Sequence, residues 1–301
     1  MLRILLVLLV ALAAAPGHAA SRFWCGERYL DPAGRPFDAR HLSVARRGYL
    51  YAVGAALALQ KQDRESLAHR FALPERLREI DRPPRDPSGF EAAAYEVLDA
   101  PGGTPVEILI AYAGSNDETD WRDTNFGTSR RQYVLARRYL ARIALRPAYR
   151  DLRVVVAGFS LGGALAVHVT KHAETRKLVH ESWAFNPSPK TWVGPERDAR
   201  IWMAASTRDG LGLLRTVSHY TRLLPGVSEI GAPSAQRADG YYLLDANPVV
   251  SHYRWVLTRN LLQAADLALR IEQPATDDTE PMRILRAAHF QACRPRRSVS
   301  P

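Results

Sequence analysis

The sequence is poor in what several function classes require. It has two cysteines among 301 residues, Cys25 and Cys293, and neither sits in a motif that suggests thiol catalysis or metal binding. It has no internal repeat and no low-complexity run, which excludes repeat arrays and long linkers. Past residue 20 no apolar stretch approaches the roughly 20 residues that a membrane-spanning helix needs. Acidic residues are outnumbered, 31 against 41 lysines and arginines, yet no nucleic-acid motif accompanies the excess, so nucleic acid is not an expected partner. What is present is ordinary globular composition, 47% hydrophobic and 24% charged. A chain of this length suits one domain of α/β type.

The first twenty residues have the pattern of an export signal. Arg3 supplies a positive start, the run from Ile4 to Ala15 is unbroken and apolar, and Pro16-Gly17 ends it. Gly17-His18-Ala19 places small residues at the cleavage positions, completing the three parts of a secretory signal peptide. An uncleaved anchor is the alternative reading, and the run is short for one. The expected organisation is therefore a signal peptide over 1–20 and a single domain over 21–301, with a catalytic core over 105–260 and an N-terminal helical and loop extension over 21–104. The expected location is periplasmic or secreted. Outside the cytoplasm Cys25 and Cys293 can pair, and the bridge would tie the two chain ends together. The basic balance includes a dense run, Arg130, Arg131, Arg137, Arg138 and Arg142. It suits peripheral contact with an anionic membrane surface, with a plain solvated helix face as the alternative.

Hydrophobic periodicity orders the rest. Residues 41–60 have helical spacing. The Pro- and Arg-rich stretch 81–87 reads as extended loop, and Phe90 to Leu98 as an edge strand. Val106 to Ala111 is a short apolar strand, Ser129 to Leu145 a basic amphipathic helix, and Arg153 to Ala157 a β-branched strand buried on both faces. Leu161 to Ala173 is a helix. Strands follow at Ser182 to Phe185 and Arg200 to Ala205, with a further candidate at Tyr241 to Leu244. A final long helix runs from Val250 to Leu269. Strands separated by helices predict a mostly parallel central sheet with helices on both faces.

The most informative run is Gly158-Phe159-Ser160-Leu161-Gly162-Gly163. It is G-x-S-x-G placed between a strand and a helix, the context that gives the pattern its meaning. A sharp reversal there exposes the Ser160 hydroxyl above the strand's carboxyl end. The backbone N–H of Leu161, at the start of the helix, points at the same space and can stabilise an oxyanion.

Three segments in order make the chain similar to the class 3 lipases, a family of the α/β-hydrolase superfamily typified by secreted fungal triacylglycerol lipases. They are Ile110 to Ser115 with Asp120-Trp121-Arg122-Asp123 following, Gly158 to Ala166, and Trp183 to Pro187. The likeness spans roughly residues 105–260. It implies the α/β-hydrolase fold, an acyl-serine mechanism on carboxylic esters, no cofactor and no resident metal, and a second oxyanion donor at Ser115. Two positions depart from the family pattern. Ala113 stands where an arginine usually precedes the oxyanion glycine, and Phe159 stands where histidine usually precedes the nucleophile.

A serine hydroxyl needs a base to take its proton, and the base needs a carboxylate to orient it. In this fold the order is serine, acid, histidine. His252, in Val249 to Tyr253 at the start of the last helix, is the expected base, with His219 and His289 as alternatives. Asp209, in the loop after the strand 200–205, is the expected acid, with Asp245 and Asp198 as alternatives. His168 and His172 have zinc-ligand spacing on the helix after the serine, but no third ligand accompanies them. The polar segment 116–126 does not resemble an amphipathic lid. Leucines in the loop over 210–247 suit either an acyl pocket or a local core. A lipid or small ester is the expected substrate. A thioester or polyester hydrolase and a non-catalytic binding protein are the other classes left open.

Overall fold

The computed structural model describes residues 28–60, 69–114, 129–212, 215, 225–243 and 248–290. The leader, both cysteines, Ser115, His219 and Asp245 lie outside the described residues, as does much of the leucine-bearing loop. In chain order the elements begin with α1 (Ala39–Gln60), β1 (His69–Arg70), β2 (Leu77–Asp81), β3 (Ala92–Leu98) and β4 (Pro105–Tyr112). They continue with α2 (Arg131–Ala144), β5 (Arg153–Phe159), α3 (Leu161–Lys171), β6 (Glu181–Phe185), β7 (Ile201–Ser206) and β8 (Arg237–Tyr241). The C-terminal part holds α4 (Pro248–His252), α5 (Arg254–Glu272), α6 (Glu280–Ala287) and β9 (His289–Phe290).

Strands β2 to β8 form one seven-stranded sheet in sequence order, and β1 pairs separately with β9. The pairs β2–β3 and β3–β4 are antiparallel, and every pair from β4 to β8 is parallel. This is the α/β-hydrolase architecture. Its consequence for function is that the carboxyl ends of β4 to β8 emerge along one edge, where loops meet and sites form.

The central strands read as apolar runs because each serves two cores. Along β5, Val154 and Val156 pack with α2 and α3, while Val155 and Ala157 pack with α1 and α5. On β4, Ile108 and Ile110 face the first core, and Leu109 and Ala111 the second. Right-handed crossovers between strands laid down in one direction put their helices on one face. That leaves the other face uncovered by α2 and α3. The N-terminal helix α1 and the C-terminal helix α5 cover it by packing on each other and on the sheet. The N-terminal helix thus packs into the core beneath the central sheet.

Four expectations need correction. The strand at 90–98 is not an edge, because β2 pairs outside it; the alternation in Leu77–Asp81 covers too few residues to stand out. The strand expected at 241–244 lies at Arg237–Tyr241, paired to β7. The helix from 250 is broken at Tyr253, which is extended (φ −62°, ψ 139°) and starts α5 afresh. It is also not final, since α6 follows. No helix among the described residues is long and apolar enough to cross a membrane.

Candidate active site

The reversal after β5 places Ser160 at φ 52°, ψ −120°, a backbone region that residues with side chains rarely occupy. Three backbone bonds hold it there. The Ser160 N–H donates to the Phe185 carbonyl at 3.0 Å, and the Ser160 carbonyl accepts from Ala164 at 3.1 Å and Ser188 at 3.0 Å. The flanking glycines are required by close approach. A Cβ on Gly158 would lie 2.2 Å from the Gly162 carbonyl carbon, and one on Gly162 would lie 2.2 Å from the Tyr112 oxygen. The pattern G-x-S-x-G is therefore a packing statement: β4, β5 and α3 pass one another at backbone contact.

Ser160 is 8% exposed. Its Oγ lies 2.9 Å from His252 Nε2. The other ring nitrogen, Nδ1, hydrogen-bonds Asp209 Oδ1. His252 ends the short helix α4, and Asp209 sits three residues beyond β7, so the two reach Ser160 from loops at the same sheet edge. The loops are themselves tied, because the Gly210 N–H donates to the Pro248 carbonyl at 3.1 Å. The three residues singled out in the sequence thus form one hydrogen-bonded chain.

A fourth residue, which the sequence reading did not single out, completes the electrostatics. Arg215 pairs with the outer oxygen of Asp209, and its Nη1 donates to the Pro187 carbonyl at 2.9 Å. The side chains of Asp209 and Arg215 are 0% and 5% exposed. Burial pulls the Asp209 carboxyl upward, but the charges and hydrogen bonds of His252 and Arg215 outweigh it and hold the group below the usual carboxylate range. The carboxylate stays ionised and oriented, as a group that must fix an imidazole requires.

Leu161 opens α3, where the first N–H groups of a helix have no intrahelical partner. Ser115 lies outside the described residues. The residue before it, Gly114, stands against Ser160: a Cβ there would be 3.4 Å from the Ser160 Cβ.

The alternatives lie elsewhere. Asp198 is bound by Arg200 at the amino end of β7, away from this edge. His289 belongs to the small β1–β9 pair. His168 is buried, with Nδ1 on the Thr191 carbonyl and Nε2 on the Arg137 guanidinium, both at 2.9 Å. A guanidinium only donates, so Nε2 accepts and the ring is neutral, held at a pKa of about 4 by burial. Among the described residues no group of three His, Cys, Asp or Glu could hold a metal.

The sequence matches the family model of the Tle-like phospholipase domain, described as phospholipase-like, over residues 56–186. That stretch runs from the end of α1 through the reversal at Ser160 to Asn186 and bears out the lipase resemblance carried by its motifs. No curated protein matches the sequence significantly. Among solved structures, a triacylglycerol lipase from Penicillium expansum is similar at 15% identity, covering 62% of this chain and 78% of that one, with a TM-score of 0.43. A Rhizomucor miehei lipase–propeptide complex is similar at 15% identity over 66% and 71%, with a TM-score of 0.38. An esterase from Pyrobaculum calidifontis is similar at 12% identity over 87% and 99%, with a TM-score of 0.36.

Proposed function

We propose that this protein is an exported serine hydrolase that cleaves carboxylic ester bonds of lipids, with phospholipids as the leading class. The observation that carries the proposal is the chain from Ser160 Oγ through His252 to Asp209, with 2.9 Å between hydroxyl and imidazole. The reading of the substrate is supported by the match to a phospholipase domain over residues 56–186.

In this reading His252 Nε2 takes the Ser160 proton as Oγ attacks the ester carbonyl carbon. The carbonyl oxygen becomes an oxyanion held by the N–H groups of Leu161 and Ser115. The imidazolium formed at His252 is stabilised by Asp209 and returns its proton to the leaving alcohol. The acyl-Ser160 that remains is hydrolysed by the same steps in reverse order, with water as the nucleophile. No residue in this sequence of events calls for a cofactor. The proposal includes removal of residues 1–20 during export, leaving one domain over 21–301.

A fluorophosphonate probe tests the mechanism. Labelling of the wild type that Ser160→Ala abolishes supports it, and labelling that survives in Ser160→Ala sinks it. p-Nitrophenyl esters of rising chain length beside labelled phospholipid vesicles test the substrate. A labelled enzyme that hydrolyses no ester points instead to another acyl bond.

A further inference from the structure

Asn186 follows the last residue of β6 and is fully buried. Its φ is 40°, in the left-handed region that a residue with a side chain enters only at a cost, although asparagine tolerates it better than most. The side chain makes three hydrogen bonds to segments distant in sequence. Nδ2 donates to the Ser251 carbonyl at 3.1 Å and to the His252 carbonyl at 3.3 Å. Oδ1 accepts from the Ser206 N–H at 2.8 Å. The Asn186 N–H donates to the Ala204 carbonyl at 2.9 Å.

These partners share one property. Ser251 and His252 form the end of the helix that carries the imidazole. Ser206 ends the strand whose next turn carries Asp209. The neighbours of Asn186 hold the nucleophile, because Phe185 accepts from the Ser160 N–H and Ser188 donates to the Ser160 carbonyl. One buried amide thus joins the backbones of the base-bearing and acid-bearing segments, and the residues on either side of it bond the backbone of Ser160. Each bond falls on a peptide at, or three residues from, the side chain it would steer. A chain that needed only to turn after β6 could use glycine here at no steric cost. The side chain adds the link between base and acid.

We propose that Asn186 is a positioning residue that sets the height of His252 over Ser160 by clamping the His252 peptide to the acid-bearing strand. The proposal rests on the reading of Ser160 as the nucleophile. Its donor face is specific: two carbonyl oxygens lie before Nδ2, so an amide fits and a carboxylate does not.

Asn186→Gly and Asn186→Asp test it. Glycine keeps the left-handed backbone without strain and removes only the clamp. Aspartate keeps the shape and the acceptor for Ser206 but turns an oxygen toward two carbonyls. Both are compared with wild type in thermal melting, in the rate of fluorophosphonate labelling, and in kcat and KM on an ester the wild type cleaves. The expected result is a fall of about 10- to 100-fold in kcat and in labelling rate with KM within about twofold, the signature of lost alignment rather than lost binding. A folded Asn186→Gly with kcat within about twofold of wild type overturns the proposal, even if its melting temperature falls, since that describes a purely structural link. Should glycine prevent folding, Asn186→Ser is held to the same kcat criterion. A wild type that is never labelled at Ser160 sinks the hydrolase reading itself, whereas an active wild type with an undiminished glycine variant sinks only this inference.

Discussion

The two edges of the central sheet carry the same kind of buried ion pair and put it to different ends. At the amino edge, Glu107 on β4 and Glu181 on β6 flank Arg153 on β5, which reaches them at 2.5 and 3.1 Å. Tyr51 donates to Glu107 at 2.6 Å, and Trp183 Nε1 donates to Glu181 at 2.8 Å. At the carboxyl edge, Asp209 lies between Arg215 and His252. Both networks bury carboxylates against arginine, so burial and pairing do not by themselves mark a site. The difference lies in where each network ends. The amino-edge network ends in the half-exposed guanidinium of Arg153 and joins strands. The carboxyl-edge network ends on the hydroxyl of Ser160, whose backbone sits at φ 52° in the turn between β5 and α3.

Asp209→Asn is expected to give the largest effect and to test the carboxyl edge twice. Loss of the charge that orients His252 should lower kcat by about 10⁴-fold. The change also leaves the buried Arg215 guanidinium without its anion, so stability should fall by about 3 kcal/mol in urea unfolding. Adding Arg215→Met to Asp209→Asn should restore most of that stability and none of the activity. A double variant that regains turnover would show that Asp209 serves Arg215 rather than His252.

Next in size is a pH effect from a buried histidine at neither edge. His168 ordinarily titrates near 6.5, and burial holds it near 4 in the folded chain. Between these values the unfolded chain binds a proton that the folded chain refuses, so stability falls as pH drops through that window and is fully present above it. The expected loss is on the order of 3 kcal/mol at its limit. Urea unfolding from pH 7 to pH 4 should show it, and His168→Gln should flatten it without changing ester hydrolysis at pH 7. At the amino edge, Glu181→Gln removes a charged acceptor from Arg47, Arg153 and Trp183. It should cost about 2 kcal/mol of stability and leave kcat within about twofold. A large loss of turnover there would erase the distinction between the edges.

The sequence made Ser160 legible because its constraint is local. Gly158 and Gly162 are needed within a few residues of Ser160, so strand, turn and helix leave one readable string. His252 and Asp209 were reachable through chain order and loop context, although Asp209 competed with Asp198 and Asp245. Arg215 and Asn186 carry no such string. Arg215 is one of many arginines, and its partners Asp209 and Pro187 lie 6 and about 28 residues away. Asn186 acts through residues 20 and 65 positions distant. Its only local trace is an asparagine, a residue that tolerates left-handed backbone, just past a strand end. The same reason hid β2 and the β1–β9 pair: short strands are specified by their neighbours, and β9 lies some 220 residues from β1.

The smallest expected effect concerns the basic run on α2, which the sequence left open between a docking face for anionic membrane and a solvated helix. Most of those cations are engaged within the fold. Arg131 pairs with Asp86, Arg137 with Glu174 and His168, and Arg142 with Asp81, which Arg146 also binds. Arg130 lies over the Trp192 ring at 4.0 Å. Paired in this way, the run presents much less positive potential than its count of arginines suggests. Arg142 is half exposed, and Asp81 keeps Arg146 when it is lost. Arg142→Ala should therefore cost under about 1 kcal/mol in urea unfolding. It should also leave binding to vesicles of anionic phospholipid unchanged at physiological salt. A drop in vesicle binding as steep as that expected for a free surface cation, about 1 kcal/mol, would restore α2 as a membrane-facing surface and make its acid partners a secondary feature.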